Sequence, residues 1–145
     1  MPTRSAHTTW TGGLEDGTGT VTLVSSGLGS YEISFPKRAA DDAGGTTSPE
    51  ELIAAAHAGC FAMQFSALLG AAGGSDQSLD ISADVTLGPD PAGGFRISGI
   101  KLTVGGSAHG VSAADFAKIA ADAKAACPVS KALAGTTITL QVAGG

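Results

Sequence analysis

The sequence predicts one α+β domain, residues 1–145, with strands and helices in the order βββ-α-ββ-α-β. Three observations support this fold class. The chain has 145 residues, the length of a single ordinary domain. Short β-prone segments occur near the N-terminus, and two longer segments with alternating apolar and polar residues occur in the middle. Each of these groups of strands is followed by a segment with helical signals.

The first strands are predicted between Thr8 and Phe35. The segments that favour strands there are HTTWTG, GTVTLVSS and YEISF, and the turn residues between them lie in EDGTG and GLGS. This pattern predicts a three-stranded meander. The segment that follows, PKRAADDAGGTT, predicts a loop.

A long helix is predicted to begin just after Ser48. Ser48 can cap the helix, Pro49 suits its first turn, and Glu51 lies at the capping-box spacing. From Leu52 to about Ala71, nearly every face of the helix carries apolar or small residues. This composition predicts a helix that is buried on all sides.

Such a helix needs more cover than a small monomer provides. One sheet and one other helix cannot cover every face of a helix of roughly 20 residues. We therefore predict a dimer that shares its core. The alternative is that the many alanines make the helix narrow enough for one subunit to enclose it.

The second half of the chain predicts two strands, a helix and a final strand. The segments LDISADVTLG and GFRISGIKLTVGG predict a long antiparallel hairpin around the turn PDPAGG. Ser112 is expected to cap the second helix, with Asp115 at the capping-box position. The apolar stripe of this helix consists of Phe116, Ile119, Ala120 and Ala123. The helix is predicted to end at Cys127 and Pro128, before a short helical turn over 129–133 and a last strand, TTITLQVA.

Composition and charge narrow the range of partners. The chain has 8 Lys and Arg against 13 Asp and Glu, a net charge of -5, and no basic run, which predicts no nucleic-acid partner. The segment MPTRSAHTTW lacks the apolar core of a secretory signal, and His57, Gln64 and Ser66 interrupt the longest apolar run, which predicts no membrane partner. We expect a cytoplasmic protein. In that compartment two cysteines are more often catalytic or metal-binding than a permanent disulfide.

Cys60 is the first candidate for chemistry. It lies about ten residues into the long helix, beyond the reach of the N-terminal dipole, and burial alone raises the pKa of a thiol. An activated thiolate therefore needs a nearby cation. The cations of the chain are Arg4, Lys37, Arg38, Arg96, Lys101, Lys118, Lys124 and Lys131. Arg38 is favoured, because it follows a strand, precedes the helix and keeps its charge in a dry pocket.

An arginine that points into an apolar site needs a carboxylate to hold it. Glu50 and Glu51, in the first turn of the helix, are both candidates for this role. A direct contact between Glu50 and Cys60 is disfavoured, because their separation places them on different helix faces and about 15 Å apart along the axis. Glu50 is therefore expected to act through Arg38 or from the other subunit.

Cys127 is the second candidate. It closes a helix whose C-terminal carbonyls disfavour a negative charge, so we expect it to remain a protonated thiol. This asymmetry predicts Cys60 as the attacking thiolate and Cys127 as the thiol that forms a disulfide with oxidised Cys60. The alternative is that the two cysteines are unrelated buried residues that pack as small apolar groups.

His57 precedes Cys60 by three residues and permits a metal-binding interpretation. A zinc ion would have only His57, Cys60 and Cys127 as ligands, too few for a closed structural site. We therefore predict no metal, and we interpret His57 as a core or interface residue whose hydrogen bonding is satisfied.

The stretch TTSPEELIAAAHAGCFAM together with KAACPVSKAL resembles the two thiol motifs of the OsmC/Ohr family of peroxiredoxin-like proteins. The resemblance covers nearly the whole chain, including the early WTGGLEDGTGTV segment, Arg38 and the central hairpin. It implies an intertwined homodimer with antiparallel sheets wrapped around two central helices. The AAHAGC form of the first motif and CPVSK are closer to the OsmC branch than to the organic hydroperoxide resistance branch, which usually has an aromatic residue at the position of His57.

The resemblance also implies a function. Members of the family reduce organic hydroperoxides, which here implies Cys60 as the peroxidatic cysteine, Cys127 as the resolving cysteine, and Arg38 and Glu50 as activating residues. It implies an external dithiol or lipoyl-type reductant and no bound cofactor. The side chains of Phe61, Met63, Phe65 and Leu68 are candidates for an apolar substrate wall, although such residues more often belong to the core. The alternative function is a non-catalytic protein of the same fold that binds a hydrophobic ligand or senses oxidants.

Overall fold

The structure is a computed structural model that describes residues 1–143. It confirms the α+β class. The chain forms two compact units, Met1–Leu52 and a second that begins at Ile53. Each unit is described separately below, and the expectation of one domain over residues 1–145 stays a prediction.

The first unit begins with the predicted meander. Its strands are β1 (His7–Thr11), β2 (Thr18–Thr22) and β3 (Ser30–Ile33), and they form an antiparallel sheet in the order β1-β2-β3. In register, Trp10 lies opposite Gly19. Turn residues at the predicted places therefore produced the expected topology.

A short helix, α1 (Phe35–Ala39), occupies part of the segment for which the sequence predicted a loop. Ser34 is in an extended conformation at the N-cap, and its hydroxyl accepts a hydrogen bond from the Lys37 amide at 3.4 Å. A proline lies in the first turn, where its missing N–H costs nothing. The prediction was wrong because five residues are too few to show a helical period.

The predicted long helix is α2 (Pro49–Ala71), which begins in the first unit and continues into the second. The Ser48 hydroxyl accepts the Glu51 amide at 3.2 Å, which confirms the predicted cap. At the other end, Gly73 has a φ of 86°, and the Gly74 amide donates to a carbonyl of the last turn at 2.8 Å. Both ends of the helix were therefore encoded by local residues.

The single chain buries one face of α2. Its buried stripe in the second unit consists of His57, Phe61, Phe65 and Leu69, each 0% exposed. The opposite face is exposed, and Met63 on that face keeps 71% of its surface. The alternative in which one subunit encloses the helix therefore does not hold, and burial on all sides within a dimer stays a prediction.

The second unit has a three-stranded sheet and two further helices. The strands are β4 (Ser75–Pro89), β5 (Phe95–His109) and β6 (Ile138–Val142), in the order β4-β5-β6. β4 and β5 form the predicted antiparallel hairpin, and β6 pairs with β5 in parallel. The helices α3 (Ala113–Ala126) and α4 (Pro128–Ala132) separate β5 from β6.

The core of the second unit lies between α2, α3 and this sheet. Phe65 packs against Phe61 and against Phe116, with ring centroids 5.6 and 4.9 Å apart. The predicted stripe of α3 is confirmed, because Phe116, Ala120 and Ala123 are fully buried. Phe61 and Phe65 are therefore core residues rather than a substrate wall.

Within residues 1–143, α2 is the one helix whose length and composition would suit a membrane span. Core helices of proteins outside the membrane meet the same criteria, so this property has little weight.

Candidate active site

The two cysteines lie side by side in the second unit. The Sγ atoms of Cys60 and Cys127 are 3.3 Å apart, and both thiols are free. Cys127 is fully buried, whereas Cys60 is partly exposed. A disulfide has an S–S length of about 2.05 Å, so closing this contact requires a movement of little more than 1 Å. The interpretation of the cysteines as unrelated core residues therefore does not fit the structure.

Two helices determine the position of Cys127. Its amide donates to the Ala123 carbonyl at 2.8 Å and ends α3, and its carbonyl accepts from the Lys131 amide at 3.0 Å at the start of α4. Pro128 occupies the first position of α4 and stops α3 from continuing. The thiol therefore lies at the junction of two helices, where its direction is fixed.

The pKa directions of the thiols differ from the prediction made from position. Burial raises the pKa of Cys60, as expected, and its contact with Cys127 raises it further. Burial also acts to raise the pKa of Cys127, but amides of Ser130 and Val129, the Cys60 thiol and the Ser130 hydroxyl outweigh it, and the net direction is lowered. The direction for Cys127 is opposite to the one expected from the end of α3 alone, because the start of α4 and the Cys60 thiol also act on its sulfur.

The Cys127 sulfur makes no capping hydrogen bond of regular geometry at α4. The amides of the first turn of a helix nevertheless point toward the side chain of the N-cap residue, and they favour the anionic form of that side chain. Either thiol can donate to the other in the contact of 3.3 Å. We therefore regard the direction of the shift as a property of the pair, in which one sulfur ionises more easily when the other stays protonated.

His57 lies on the buried stripe of α2 and reaches α4. Its Nε2 atom is 2.7 Å from the Ser130 hydroxyl oxygen, and both residues are buried. This contact confirms His57 as a core residue with a hydrogen bond. Burial lowers the pKa of His57 below its ordinary value of 6.5, which keeps the ring neutral near pH 7.

Arg38 and Glu50 form an ion pair within the first unit. The Nε atom of Arg38 donates to both carboxylate oxygens of Glu50 at 3.1 Å, and Nη2 donates to Oε1 at 2.7 Å. Of the two predicted candidates, Glu50 therefore holds Arg38, while the Glu51 carboxylate accepts from the Thr47 hydroxyl at 2.8 Å. Burial acts to raise the pKa of Glu50, but its bonds to Arg38 and the arginine charge hold the pKa below its ordinary value of 4.5.

The guanidinium of Arg38 also borders a pocket in the first unit. This cavity has a volume of about 260 Å³. Its other lining residues are Trp10, Leu14, Ile33, Ser34, Phe35, Thr47 and Pro49. Most of the lining is apolar, so the pocket combines one fixed cation with walls that suit a hydrocarbon group.

Two of the other candidate cations have different partners. Lys124 donates from Nζ to the Ile138 carbonyl at 2.8 Å and so ties α3 to β6. Lys118 pairs with Asp122 at 2.9 Å on the exposed face of α3. Both contacts lie within the second unit.

Ser130 is the residue of this site that the sequence analysis missed. It lies inside the CPVSK segment, but no role was assigned to it. The available signal was its spacing, because the third residue after a helix-capping position faces the capping side chain. That signal was present in the predicted helical turn over 129–133, but the contact of Ser130 with His57 on α2 could not be predicted from local sequence.

Within residues 1–143, no three His, Cys, Asp or Glu side chains lie close enough together to hold a metal ion. The thiol pair and the ion pair are therefore the two groups of reactive side chains on which a function can be argued.

The comparisons with known proteins agree with this picture. Residues 41–142 match the family model described as OsmC-like protein. The chain is 43% identical over 124 residues to peroxiredoxin OsmC of Escherichia coli (strain K12), covering 86% of this chain and 85% of the relative. Its fold is similar to the crystal structure of the organic hydroperoxide resistance protein OhrB of Bacillus subtilis, with a TM-score of 0.75, 28% identity, and coverage of 96% and 98% of the two chains.

A second solved structure is also similar, that of an organic hydroperoxide resistance protein from Elizabethkingia anophelis, with a TM-score of 0.78, 26% identity, and coverage of 100% of this chain and 98% of that chain. The fold and the adjacent free thiols define a cysteine-based peroxidase. The chain belongs to the OsmC-like family. Among the relatives named here, the identity is higher to peroxiredoxin OsmC than to the two resistance proteins, as predicted from the AAHAGC form of the first motif.

Proposed function

We propose that this protein reduces organic hydroperoxides to alcohols, and hydrogen peroxide more slowly, in defence against oxidative stress. The observation that carries the proposal is the distance of 3.3 Å between the sulfur atoms of Cys60 and Cys127. Relatives named as a peroxiredoxin and as organic hydroperoxide resistance proteins support the same substrate class.

The first chemical step is attack by the Cys60 thiolate on the terminal oxygen of the hydroperoxide. A bond forms between sulfur and that oxygen, the O–O bond breaks, and the alkoxide leaves and takes up a proton as the alcohol. Cys60 becomes a sulfenic acid, so the sulfur is oxidised and the peroxide is reduced. Cys60 is the partly exposed residue of the pair, which favours it as the one that a substrate reaches.

Arg38 and Glu50 are proposed as the activating residues of this step. Arg38 would stabilise the Cys60 thiolate and donate hydrogen bonds to the peroxide oxygens as negative charge develops. The burial of Cys60 raises its pKa, so the reaction requires such a cation. Glu50 would act on Arg38, because its carboxylate binds two guanidinium nitrogens and thereby fixes their direction.

In the second step the Cys127 thiol attacks the sulfenic sulfur of Cys60. The S–S bond forms, the S–O bond breaks, and the hydroxyl leaves as water with the proton of Cys127. An external dithiol, for example a lipoyl-type dithiol, then reduces the disulfide by exchange and is itself oxidised. No bound cofactor is needed for this cycle.

The substrate is proposed to carry an alkyl or lipid group. Arg38 borders an apolar pocket of about 260 Å³ in the first unit, which can accept a hydrocarbon chain while the guanidinium binds the polar end. Hydrogen peroxide has no group that would gain from this pocket. A preference for organic hydroperoxides follows from that difference.

The protein is further proposed to be a cytoplasmic homodimer. The exposed face of α2 carries Ala56, Gly59, Met63 and Ala67 at helical spacing. These residues form a second apolar stripe opposite the buried one, and small side chains allow another helix to approach closely. A second copy of the chain would cover this face.

The test uses reduced protein and measures free thiols and intact mass after one equivalent of cumene hydroperoxide, and separately after hydrogen peroxide. We expect both thiols to be lost with a decrease of about 2 mass units, faster with the organic peroxide, because a disulfide lacks two hydrogens. In Cys127→Ser, Cys60 should gain about 16 mass units as a sulfenic acid and then stall or oxidise further.

Cys60→Ser is the matched control, because it keeps Cys127 and should lose turnover completely. Full activity in Cys60→Ser would contradict the mechanism. Thiols that persist in the wild type would instead support the alternative of a protein of the same fold that binds a hydrophobic ligand.

A further inference from the structure

The buried pair of His57 and Ser130 has no role in the steps above. An imidazole that is 0% exposed inside an apolar core costs free energy, and its Nδ1 atom has no hydrogen-bond partner within residues 1–143. Within the same residues, the ring makes one polar contact, in which Nε2 lies 2.7 Å from the Ser130 hydroxyl oxygen. This contact joins the middle of α2 to α4, and each of these helices is next to one of the reacting thiols.

The hydrogen-bond inventory decides which tautomer His57 adopts. The ring is neutral, so one nitrogen carries a proton and the other has a lone pair. If Nδ1 carried the proton, a buried N–H donor would be left without an acceptor, which is the more costly arrangement. The proton therefore belongs on Nε2, and Nε2–H donates to the Ser130 oxygen. The Ser130 hydroxyl then keeps its own proton free to donate elsewhere.

The position of Ser130 in α4 determines where that proton can go. Cys127 is the N-cap residue of α4, and Ser130 is the third residue of the helix. A side chain at the third position of a helix lies close to the N-cap residue. Both residues are buried, and the Ser130 hydroxyl acts to lower the pKa of the Cys127 thiol. Rotation of the hydroxyl can direct its proton to the sulfur, and burial keeps solvent from competing for it.

We propose that His57 orients the Ser130 hydroxyl toward the Cys127 sulfur and that this hydrogen bond speeds the formation of the Cys60–Cys127 disulfide. The kinetic part of this inference rests on the proposed peroxidase function. Ser130 is the group that contacts a reacting atom, and His57 is a positioning residue that acts through Ser130. The order of contacts is His57 Nε2–H to Ser130 Oγ, then Ser130 O–H to Cys127 Sγ.

The chemistry requires no proton uptake by the histidine. When Cys127 attacks oxidised Cys60, its thiol must lose a proton, and the hydroxyl that leaves Cys60 takes that proton to form water. Ser130 retains its own proton and stabilises the negative charge on sulfur during the attack. His57 remains neutral, and its pKa, lowered by burial, suits this role.

The first test measures the pKa of the Cys127 thiol without any peroxide. In Cys60→Ser protein, Cys127 is the one remaining thiol, and its ionisation can be followed by the ultraviolet absorbance of the thiolate. Ser130→Ala in this background should reduce the thiolate fraction about fivefold at a pH below the pKa, the factor expected for one hydrogen bond. Ser130→Thr keeps the hydroxyl and should restore most of the loss.

The second test measures both chemical steps by stopped flow in protein that contains both cysteines. The ratio of the rate of disulfide formation to the rate of sulfenic acid formation should fall about fivefold in Ser130→Ala. His57→Leu should give a similar fall, and His57→Gln, which can place an N–H near the position of Nε2, should recover part of it. If His57→Leu does not fold, the Ser130 variants decide the question alone.

Two results would overturn the inference. The first is that Ser130→Ala changes neither the Cys127 pKa nor the rate ratio. The second is that Ser130→Ala and Ser130→Thr lose equal amounts of thiolate fraction and of rate ratio. Either result would show that Ser130 acts only as a packing residue. A failure of the proposed function is distinguishable, because the wild type would then form no sulfenic acid while the measurement of the Cys127 pKa would still report on the hydrogen bond.

Discussion

Arg38 is held by Glu50 through two of its guanidinium nitrogens, a geometry that a lysine cannot reproduce. A lysine offers a single flexible ammonium, so it cannot bind the carboxylate as a fork and also donate in a fixed direction. We expect Arg38→Lys to reduce kcat/KM for an organic hydroperoxide by about tenfold or more, because one charge-assisted hydrogen bond is worth about 1.5 to 3 kcal/mol. Peroxidase assays of the variant measure this directly.

The neighbouring lysine provides the control for that experiment. Lys37→Gln removes a positive charge one residue away and leaves the pair of Arg38 and Glu50 intact. Its kcat/KM should stay within about twofold of the wild type, since exposed charges interact weakly across water. Equal activities of Arg38→Lys and wild type would remove the guanidinium from the mechanism.

His57 makes the stability of the protein depend on pH. Burial lowers its folded-state pKa below 6.5, so the unfolded chain binds more protons than the folded one as the pH falls below that value. The contribution of His57 to the free energy of unfolding should therefore be constant above pH 6.5. Below that pH the free energy of unfolding should decrease, by at most about 1.4 kcal/mol per pH unit. Urea unfolding at a series of pH values measures the slope.

Glu50 also makes the protein less stable as the pH falls, but in a lower pH range. Its folded-state pKa is held below 4.5, and its contribution to stability is lost as the pH falls below that value. The two ranges are separate, so the His57 contribution can be read above pH 4.5. His57→Gln has no titrating ring and should show a flatter profile there. A slope that is the same in His57→Gln would assign the pH dependence to other groups.

The chemistry of single residues was only partly predictable from the sequence. The pairing of Arg38 with a carboxylate from the first helical turn followed from charge and burial alone, whereas the action of Arg38 on Cys60 stays a prediction. The direction of the Cys127 pKa did not follow in this way, because it also depends on the contact with Cys60 and on groups of α4. Ser130 was missed because its contact with His57 joins residues 73 positions apart.

Helix and strand boundaries were predicted best where a local signal fixed them. Ser48 and Ser112 cap α2 and α3, as predicted. The short helix α1 was missed, because its five residues, which include a proline, are too few to show a helical period. The face of α2 that its own subunit covers could not be predicted, since periodicity shows which residues are apolar but not how many faces a neighbour covers.

The long hairpin of β4 and β5 contains a local irregularity that yields a sharp prediction. Gly106 has a φ of 114°, and a Cβ atom there would lie 2.9 Å from the Leu79 Cα. We expect Gly106→Ala to lower the free energy of unfolding by at least about 2 kcal/mol, because the added carbon meets backbone and the conformation is strained for any other residue. Denaturant unfolding measures the change.

Gly105 is the matched control, one position earlier in the same strand. A Cβ atom at Gly105 would lie 3.9 Å from its nearest neighbours in Asp80, which is ordinary contact. Gly105→Ala should therefore change the free energy of unfolding by no more than about 1 kcal/mol. Similar losses in the two variants would show that the irregularity at Gly106 is not needed for the hairpin.

Within residues 1–143, one face of α2 is apolar and exposed, and this surface needs an explanation. The stripe of α2 that is buried by its own subunit faces the core, and the opposite stripe is small, apolar and exposed. Exposed apolar helix faces of this length are unusual in stable monomers. The sequence indicated a dimer by the same reasoning, because it showed more apolar helix surface than one subunit could cover.

Met63 lies at the centre of this exposed stripe and is the residue with which to test the dimer. We expect the wild type to have the solution mass of two chains by light scattering, and Met63→Lys to shift the population toward single chains, since burying an unpaired ammonium at a helix contact costs several kcal/mol. Ala121→Lys places the same charge on the exposed face of α3, beside the ion pair of Lys118 and Asp122, and should leave the mass unchanged. A wild type that remains a single chain at micromolar concentration would refute the dimer and would leave the apolar face of α2 as a surface for another partner.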